Sequence, residues 1–210
     1  MSLKKESSLI LIASMPALYL ALIWNELPSK IPTHFNFKGE IDHWGDRIEL
    51  LPFIVVPIFL FLILLIVSKT DALRNNNAFQ VIKLIIMLVV SLTITLMMYT
   101  IKNQSMGTPR LTSVGVGIIT FLSGYFMRNI KPNFLIGIRT PWTLEDETNW
   151  RETHLVAGRF WLVGGIVILV ICFFFKFDVA LTVVFIIMGI LVLVPILYSY
   201  RLFINKKGRE

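Results

Sequence analysis

Residues 133–158 read NFLIGIRTPWTLEDETNWRETHLVAG, the longest polar interruption in the C-terminal half of an otherwise apolar chain. Arg139, Glu145, Asp146, Glu147, Arg151 and His154 stand there beside two tryptophans, Trp142 and Trp150. Apolar runs lie on both sides, over residues 111–127 and 155–175. About 20 apolar residues cross a bilayer as a helix, because a helix satisfies its own backbone hydrogen bonds in hydrocarbon. The stretch is therefore read as a loop between two membrane spans.

Working outward, the pattern repeats. Residues 9–24, 50–67, 81–101 and 179–200 give four more spans, six in all. The first run lacks a small-residue cleavage pattern at its end, where Ile23, Trp24 and Asn25 stand, so it is read as an uncleaved span. Pro16 and Pro57 predict kinks, and Pro52 suits a first helical turn. Lys83, near the start of the third span, is expected to snorkel to the interface. Residues 176–178 alone separate the last two spans, which predicts a tight helical hairpin. Ser113 with Gly117, and Thr120 with Gly124, form two small-xxx-small pairs, which predict a close internal helix contact.

Composition agrees. Of 210 residues, 56% are hydrophobic and 16% charged, against about 25% charged in a soluble domain. The fold class expected is an all-α membrane protein of six transmembrane helices. A short extracytoplasmic hairpin-like loop and a cytoplasmic interfacial helix complete it. Residues 1–67 form two spans around a loop at 25–49, residues 68–210 form four spans around the loop at 133–158, and the whole is one integrated membrane domain. The single cysteine, Cys172, lies in an apolar run and reads as a small hydrophobe.

The net charge of +7 could suggest nucleic acid, but no basic run is long enough for a groove-sized patch. Basic residues instead flank the spans. Segments 1–8, 68–80, 128–154 and 201–210 carry 12 Lys and Arg, and the alternate loops carry 6. The positive-inside rule then places the first set, and with it both termini and the stretch at 133–158, in the cytoplasm.

Residues 25–49 are the loop expected outside. After Pro32 the side chains alternate, with Thr33, Phe35 and Phe37 on one side and His34 and Asn36 on the other. Period two predicts a short strand, Lys38 and Gly39 a turn, and residues 40–44 the returning strand. His34, Glu40, Asp42 and His43 raise the question of a metal. Their spacing matches no ligand pattern, so no metal and no cofactor is predicted. Phe35, Phe37 and Trp44 suit the headgroup region.

In the stretch at 133–158, Thr143 three residues before Asp146 resembles a capping box. A helix is expected to start near Leu144 and run on into the fifth span. Glu147 and Arg151 are spaced to pair, and Trp150, His154 and Gly158 form one helical stripe expected at the membrane boundary. The acids fall where a cap needs them, and no nucleophile motif or zinc spacing is present, so the chain is not read as an enzyme. Arg139, between Ile138 and Pro141, is expected to bury its stem and bond free carbonyls, with partner recognition as the other reading.

The run Gly137, Ile138, Arg139, Thr140, Pro141, Trp142, Thr143, Leu144, followed by Glu147, Thr148 and Trp150, resembles the signature of the SdpI family. Pro28, Pro32, His34, Phe35, Asn36 and Gly39 are similar to an outer-loop motif often joined to it. The resemblance implies a multipass protein of a bacterial cell membrane that protects against a secreted membrane-active peptide toxin. It also implies a receptor that holds a small helix-turn-helix autorepressor at the membrane, without binding nucleic acid itself. On that reading Pro32, His34, Phe35, Asn36, Gly39 and Asp42 face the toxin. The inner motif is Asn133, Gly137, Arg139, Thr140, Pro141, Trp142, Thr143, Glu147, Trp150 and His154. The alternative is a small transporter or channel for a peptide or lipid. The near absence of charge inside the spans weighs against it.

Overall fold

The computed structural model describes residues 3–69, 77–103, 108–133 and 136–208. In chain order the elements are α1 (Leu3–Ile23), β1 (Lys30–Phe35), β2 (Ile41–Asp46), α2 (Leu51–Val67), α3 (Asn77–Lys102), α4 (Thr108–Met127), α5 (Pro141–Glu145), α6 (Glu147–Phe174) and α7 (Phe177–Lys207). All of the helices except α5 are long and apolar enough to cross a membrane, six in number. This is an all-α membrane fold. Arg74, Asn75, Asn76 and Gly107, read from sequence as loop residues, lie outside the described residues.

The outward surface explains the composition. Leu22, Phe59, Phe174 and Leu197 are each more than half exposed. In water such a continuous apolar surface would drive association; in lipid it is the surface the solvent requires. The helices outrun their apolar stretches, with α3 starting at Asn77 and α7 continuing to Lys207. The apolar run measures hydrocarbon thickness, whereas a helix can continue into the headgroup layer on polar residues.

Inside, α1 packs on α2 and α3, α3 on α4, α4 on α6, and α6 on α7. The α4–α6 contact is the closest. A Cβ placed on Gly124 would sit 2.5 Å from the Leu162 backbone nitrogen and 2.9 Å from the Gly158 carbonyl oxygen. One placed on Gly165 would sit 2.5 Å from the Phe121 nitrogen. Gly124 of α4 thus meets Gly158 of α6 backbone to backbone, and Gly117 packs on Ile168 and Leu169, the internal contact their spacing predicts. Cys172 is buried with Ile168, Ala180 and Val184 between α6 and α7.

Lys83 does not snorkel. It is buried, and its Nζ donates to Ser68 Oγ at 3.1 Å. The reason is its depth: α3 begins six residues earlier, and Ser68 is the cap residue at the C-terminus of α2. The negative end of that helix dipole and the hydroxyl give the ammonium an internal environment.

Candidate functional site

The two sequence motifs lie at opposite ends of the bundle. One end holds the hairpin, where α1, α3 and α6 finish and α2, α4 and α7 begin. β1 and β2 pair antiparallel, with register shifts between Pro32 and His34 and between His34 and Phe35. The turn is built by Asn36, whose Oδ1 accepts the backbone N–H groups of Lys38 (2.9 Å) and Glu40 (3.0 Å). Gly39 has φ +81°, and its position abuts the Phe177 ring at the start of α7. A side chain there would be strained by φ and would meet Phe177 Cδ1 at 2.7 Å. β1 starts earlier than the alternation after Pro32 suggests, and takes Pro32 into the strand, as an edge position allows.

Polar residues of the hairpin pair across it. His34 Nδ1 lies 2.6 Å from Asp42 Oδ1, and Lys30 Nζ donates to Asp46 at 2.9 Å. Lys102, at the end of α3, pairs with Glu26. Among the described residues no three His, Cys, Asp or Glu side chains converge on one point. Phe37 and Trp44 are exposed, while Phe35 is half-buried. Beneath the hairpin lies a cavity of about 660 Å³. Residues 31–36 form one wall, Leu50 and Phe53 another, and Met97, Ile101, Ser113, Phe177 and Leu181 the remainder.

The opposite end carries the loop at 133–158. Asn133 Oδ1 accepts the Ile136 N–H at 2.8 Å, and its Nδ2 donates to the Lys131 and Ile136 carbonyls. Gly137 has φ +119°, and a Cβ there would collide with the His154 ring and approach Trp150 to 3.1 Å. Glycine is therefore required twice over, by dihedral and by space. The Ile138 N–H donates to His154 Nε2 at 3.0 Å, and His154 Nδ1 lies 2.8 Å from the Trp150 carbonyl oxygen. Together these bonds define the neutral ring with its proton on Nδ1. Trp150 stacks on His154 at 4.1 Å and donates its indole N–H to the Ile130 carbonyl at 3.0 Å. Trp150 and His154 of the stripe are thus buried within the bundle.

Thr143 is the second centre. Its fully buried hydroxyl accepts the Thr140 N–H at 2.9 Å and donates to the Ile138 carbonyl at 2.8 Å. Thr140 caps α5, with Pro141 in the first turn. Trp142 donates its indole N–H to Ser199 Oγ at 2.9 Å and stacks on Phe203. The helix expected from Leu144 is in fact two. α5 ends at Glu145, Asp146 is extended, and α6 begins at Glu147. Asp146 is the N-cap of α6, accepting the N–H groups of Thr148 and Asn149, and Thr143 belongs to the cap of α5. Two cap sequences in tandem make a break where one pattern suggested continuity.

Asp146 also takes Lys206 Nζ at 2.9 Å. That ammonium, with help from the two backbone N–H groups, holds the carboxyl below its ordinary pKa despite partial desolvation. Arg151 turns to its neighbour Glu152 at 3.1 Å and not to Glu147. Glu147 is exposed in the first turn of α6, where the helix dipole favours it. Arg139 is exposed, so its expected burial is not what the fold provides. Sequence reading did not single out Asn149, Thr153 and Ser199. Asn149 donates to the Ser199 carbonyl and accepts from Thr153, all of it buried. The available signal was Ser199, a small hydroxyl residue between two tyrosines at the end of the apolar last span. Between the start of α6 and the end of α7 runs a polar groove of about 400 Å³, lined by Asp146, Glu152, Asn205 and Lys206 among others.

Six long apolar helices, a hairpin over a cavity at one end and a hydrogen-bonded loop at the other define a multipass membrane protein. Comparison with known proteins assigns it more closely. Residues 129–199 match the SdpI/YfhL protein family, and residues 11–60 match a domain of unknown function, DUF1648. The chain is 27% identical over 207 residues to Immunity protein SdpI of Bacillus subtilis (strain 168), covering 94% of this chain and 96% of that protein. No solved structure matches the chain significantly. The C-terminal part of the chain, residues 129–199, is thus similar to the SdpI/YfhL protein family.

Proposed function

We propose that the protein is an immunity protein of a bacterial cell membrane, protecting its host from a secreted, membrane-active peptide toxin. One observation carries this reading: the similarity to an immunity protein extends over 94% of the chain and includes both motif-bearing loops. Expression in a toxin-sensitive strain tests it. Survival at toxin concentrations that kill the empty-vector strain is the expected outcome, and equal killing by every peptide of this class overturns it.

The hairpin end lies outside and the loop at 133–158 lies in the cytoplasm, with both termini. The support is the excess of Lys and Arg at the loop end. Single cysteines at Phe37 and Arg139 in a Cys172→Ser background test this. A membrane-impermeant thiol reagent should label the first and not the second in intact cells. The chain acts as one integrated membrane domain, supported by a core in which Leu9 and Leu64 pack with Phe79 and Trp150.

A second role, as a receptor that sequesters a cytoplasmic autorepressor, is favoured by the exposure of Arg139 and Glu147 on a loop held by the buried hydrogen bonds of Thr143 and His154. Such a surface presents charge of both signs to a partner. Arg139→Ala should abolish recruitment of a fluorescent repressor to the membrane and leave protection intact. Recruitment unchanged by that substitution removes the role.

A further inference from the structure

We infer that the cavity beneath the hairpin is the receptor site for the peptide, and that it seats a short apolar segment of a cationic chain. The inference rests on the immunity reading and adds the site and the ligand chemistry to it.

Three observations converge there. The first is size and character. A space of about 660 Å³ walled by Ile31, Leu50, Phe53, Met97, Phe177 and Leu181 is predominantly apolar. It falls within the range of sites that enclose a ligand, roughly 300–1,000 Å³, and holds about three large side chains. The second is the strand that forms its wall. A regular strand turns alternate residues to one side, yet residues 31–36 all contribute to the lining. The two register shifts fall inside this run, between Pro32 and His34 and between His34 and Phe35. Such irregularities re-aim side chains and concentrate beside functional sites.

The third is charge. No described lining residue is Lys or Arg, and Glu49 is the residue there that carries a full negative charge. Glu49 Oε1 accepts the Asp46 N–H at 3.1 Å, and Oε2 takes no hydrogen bond among the described residues. An anionic phospholipid presents a net negative headgroup, and the lining offers it no Lys or Arg. An ammonium or guanidinium on an apolar segment finds both a carboxylate and apolar side chains there. The lining therefore favours a cationic apolar peptide over an anionic lipid.

The test uses the full chain in phosphatidylcholine nanodiscs, with empty discs as baseline. The probe is a fluorescent synthetic peptide of Leu, Phe and Lys, and the control replaces each Lys by Glu. The Lys peptide should bind protein-loaded discs above baseline and the Glu peptide should not. Leu181→Trp, which fills the cavity, and Glu49→Gln, which keeps the acceptor for Asp46 but removes the charge, should each weaken binding about tenfold. The Glu49→Gln effect should shrink at high salt. A melting curve like that of the unsubstituted protein shows that each variant folds. If Leu181→Trp does not fold, Glu49→Gln decides alone.

Equal binding by the variants, or equal binding of the Glu peptide, overturns the inference. So does release of a phospholipid from the purified protein that Leu181→Trp abolishes, with no effect on peptide binding; the cavity is then a lipid site. Protection assays on the same variants separate the two readings. Full protection by variants that fill or neutralise the cavity leaves immunity standing and rejects the site. No protection by the unsubstituted chain rejects immunity itself.

Discussion

The two ends of the bundle solve the problem of polar groups in opposite ways. At the loop end Thr143, Trp150, Thr153 and His154 are almost entirely buried, and their hydrogen bonds close on one another or on backbone. At the hairpin end the pairs His34–Asp42 and Lys30–Asp46 are exposed, and a cavity is left beneath them. Exposed ion pairs stabilise by about 0–1 kcal/mol, whereas an orphaned buried polar group costs about 1–3 kcal/mol. The more distinctive motif is therefore first a structural device. Its buried residues hold the loop, and its two charged residues, Arg139 and Glu147, are exposed.

The contrast breaks altogether if the helices between the ends cannot approach. Gly124→Val brings a side chain onto the backbone of α6, which has no flexible atom to yield. We expect a loss of about 3 kcal/mol or more, read as near-complete loss of folded protein in detergent extracts. Normal accumulation would show that the α4–α6 contact is not required. Gly137→Ala confines the damage to one end. The left-handed φ and the clash with His154 together should destabilise by about 2–3 kcal/mol in denaturant titrations. Probe binding beneath the hairpin should persist in the folded fraction.

A finer cut is Trp142→Phe. It keeps the stack on Phe203 and removes the bond to Ser199, with an expected loss of about 1 kcal/mol. Combining it with Ser199→Ala should add less than the sum of the two, since both remove one bond. Asp146 gives a smaller effect, visible through pH. Its folded pKa lies below the unfolded one, so its contribution is complete above the ordinary aspartate range and is lost as pH falls through the depressed value. Melting temperature should drop on acidification toward about pH 3, and Lys206→Met should flatten that drop. The smallest change in stability is expected from His34→Ala, under about 0.5 kcal/mol because the pair is exposed. A large loss there would mean that the hairpin end is as tightly built as the loop end.

The spans were legible because the bilayer enforces a length and a composition that a sequence cannot disguise. The small-residue pairs of α4 were legible for the same kind of reason, a fixed helical spacing. The register of the hairpin was partly so. Alternation after Pro32 marked a strand, but the shifts around His34 depend on what the strand packs against, and that wall comes from α2, α3 and α7. At the loop one acid, Asp146, is the cap that the reading of the acids foresaw, yet which helix it caps was not readable. Asp146 could continue a helix from Leu144 or end one at Glu145; in the fold it caps α6 and also pairs with Lys206, sixty residues away. Trp142 and Ser199 are likewise joined only by the fold. Lys83 was misread because its partner, Ser68, belongs to another helix.

One element takes part in both ends. The 31-residue helix α7 offers Phe177 and Leu181 to the cavity wall, and Ser199, Phe203 and Lys206 to the loop. A straight helix of that length is a lever about 46 Å long, so a tilt of about 5° about its midpoint carries each end through about 2 Å. Ser199 stands seven residues from that midpoint, so the same tilt moves it by about 1 Å against its 2.9 Å bond to Trp142. A wedge driven under one end of this element reaches the other through Pro195, where the helical ladder lacks an N–H.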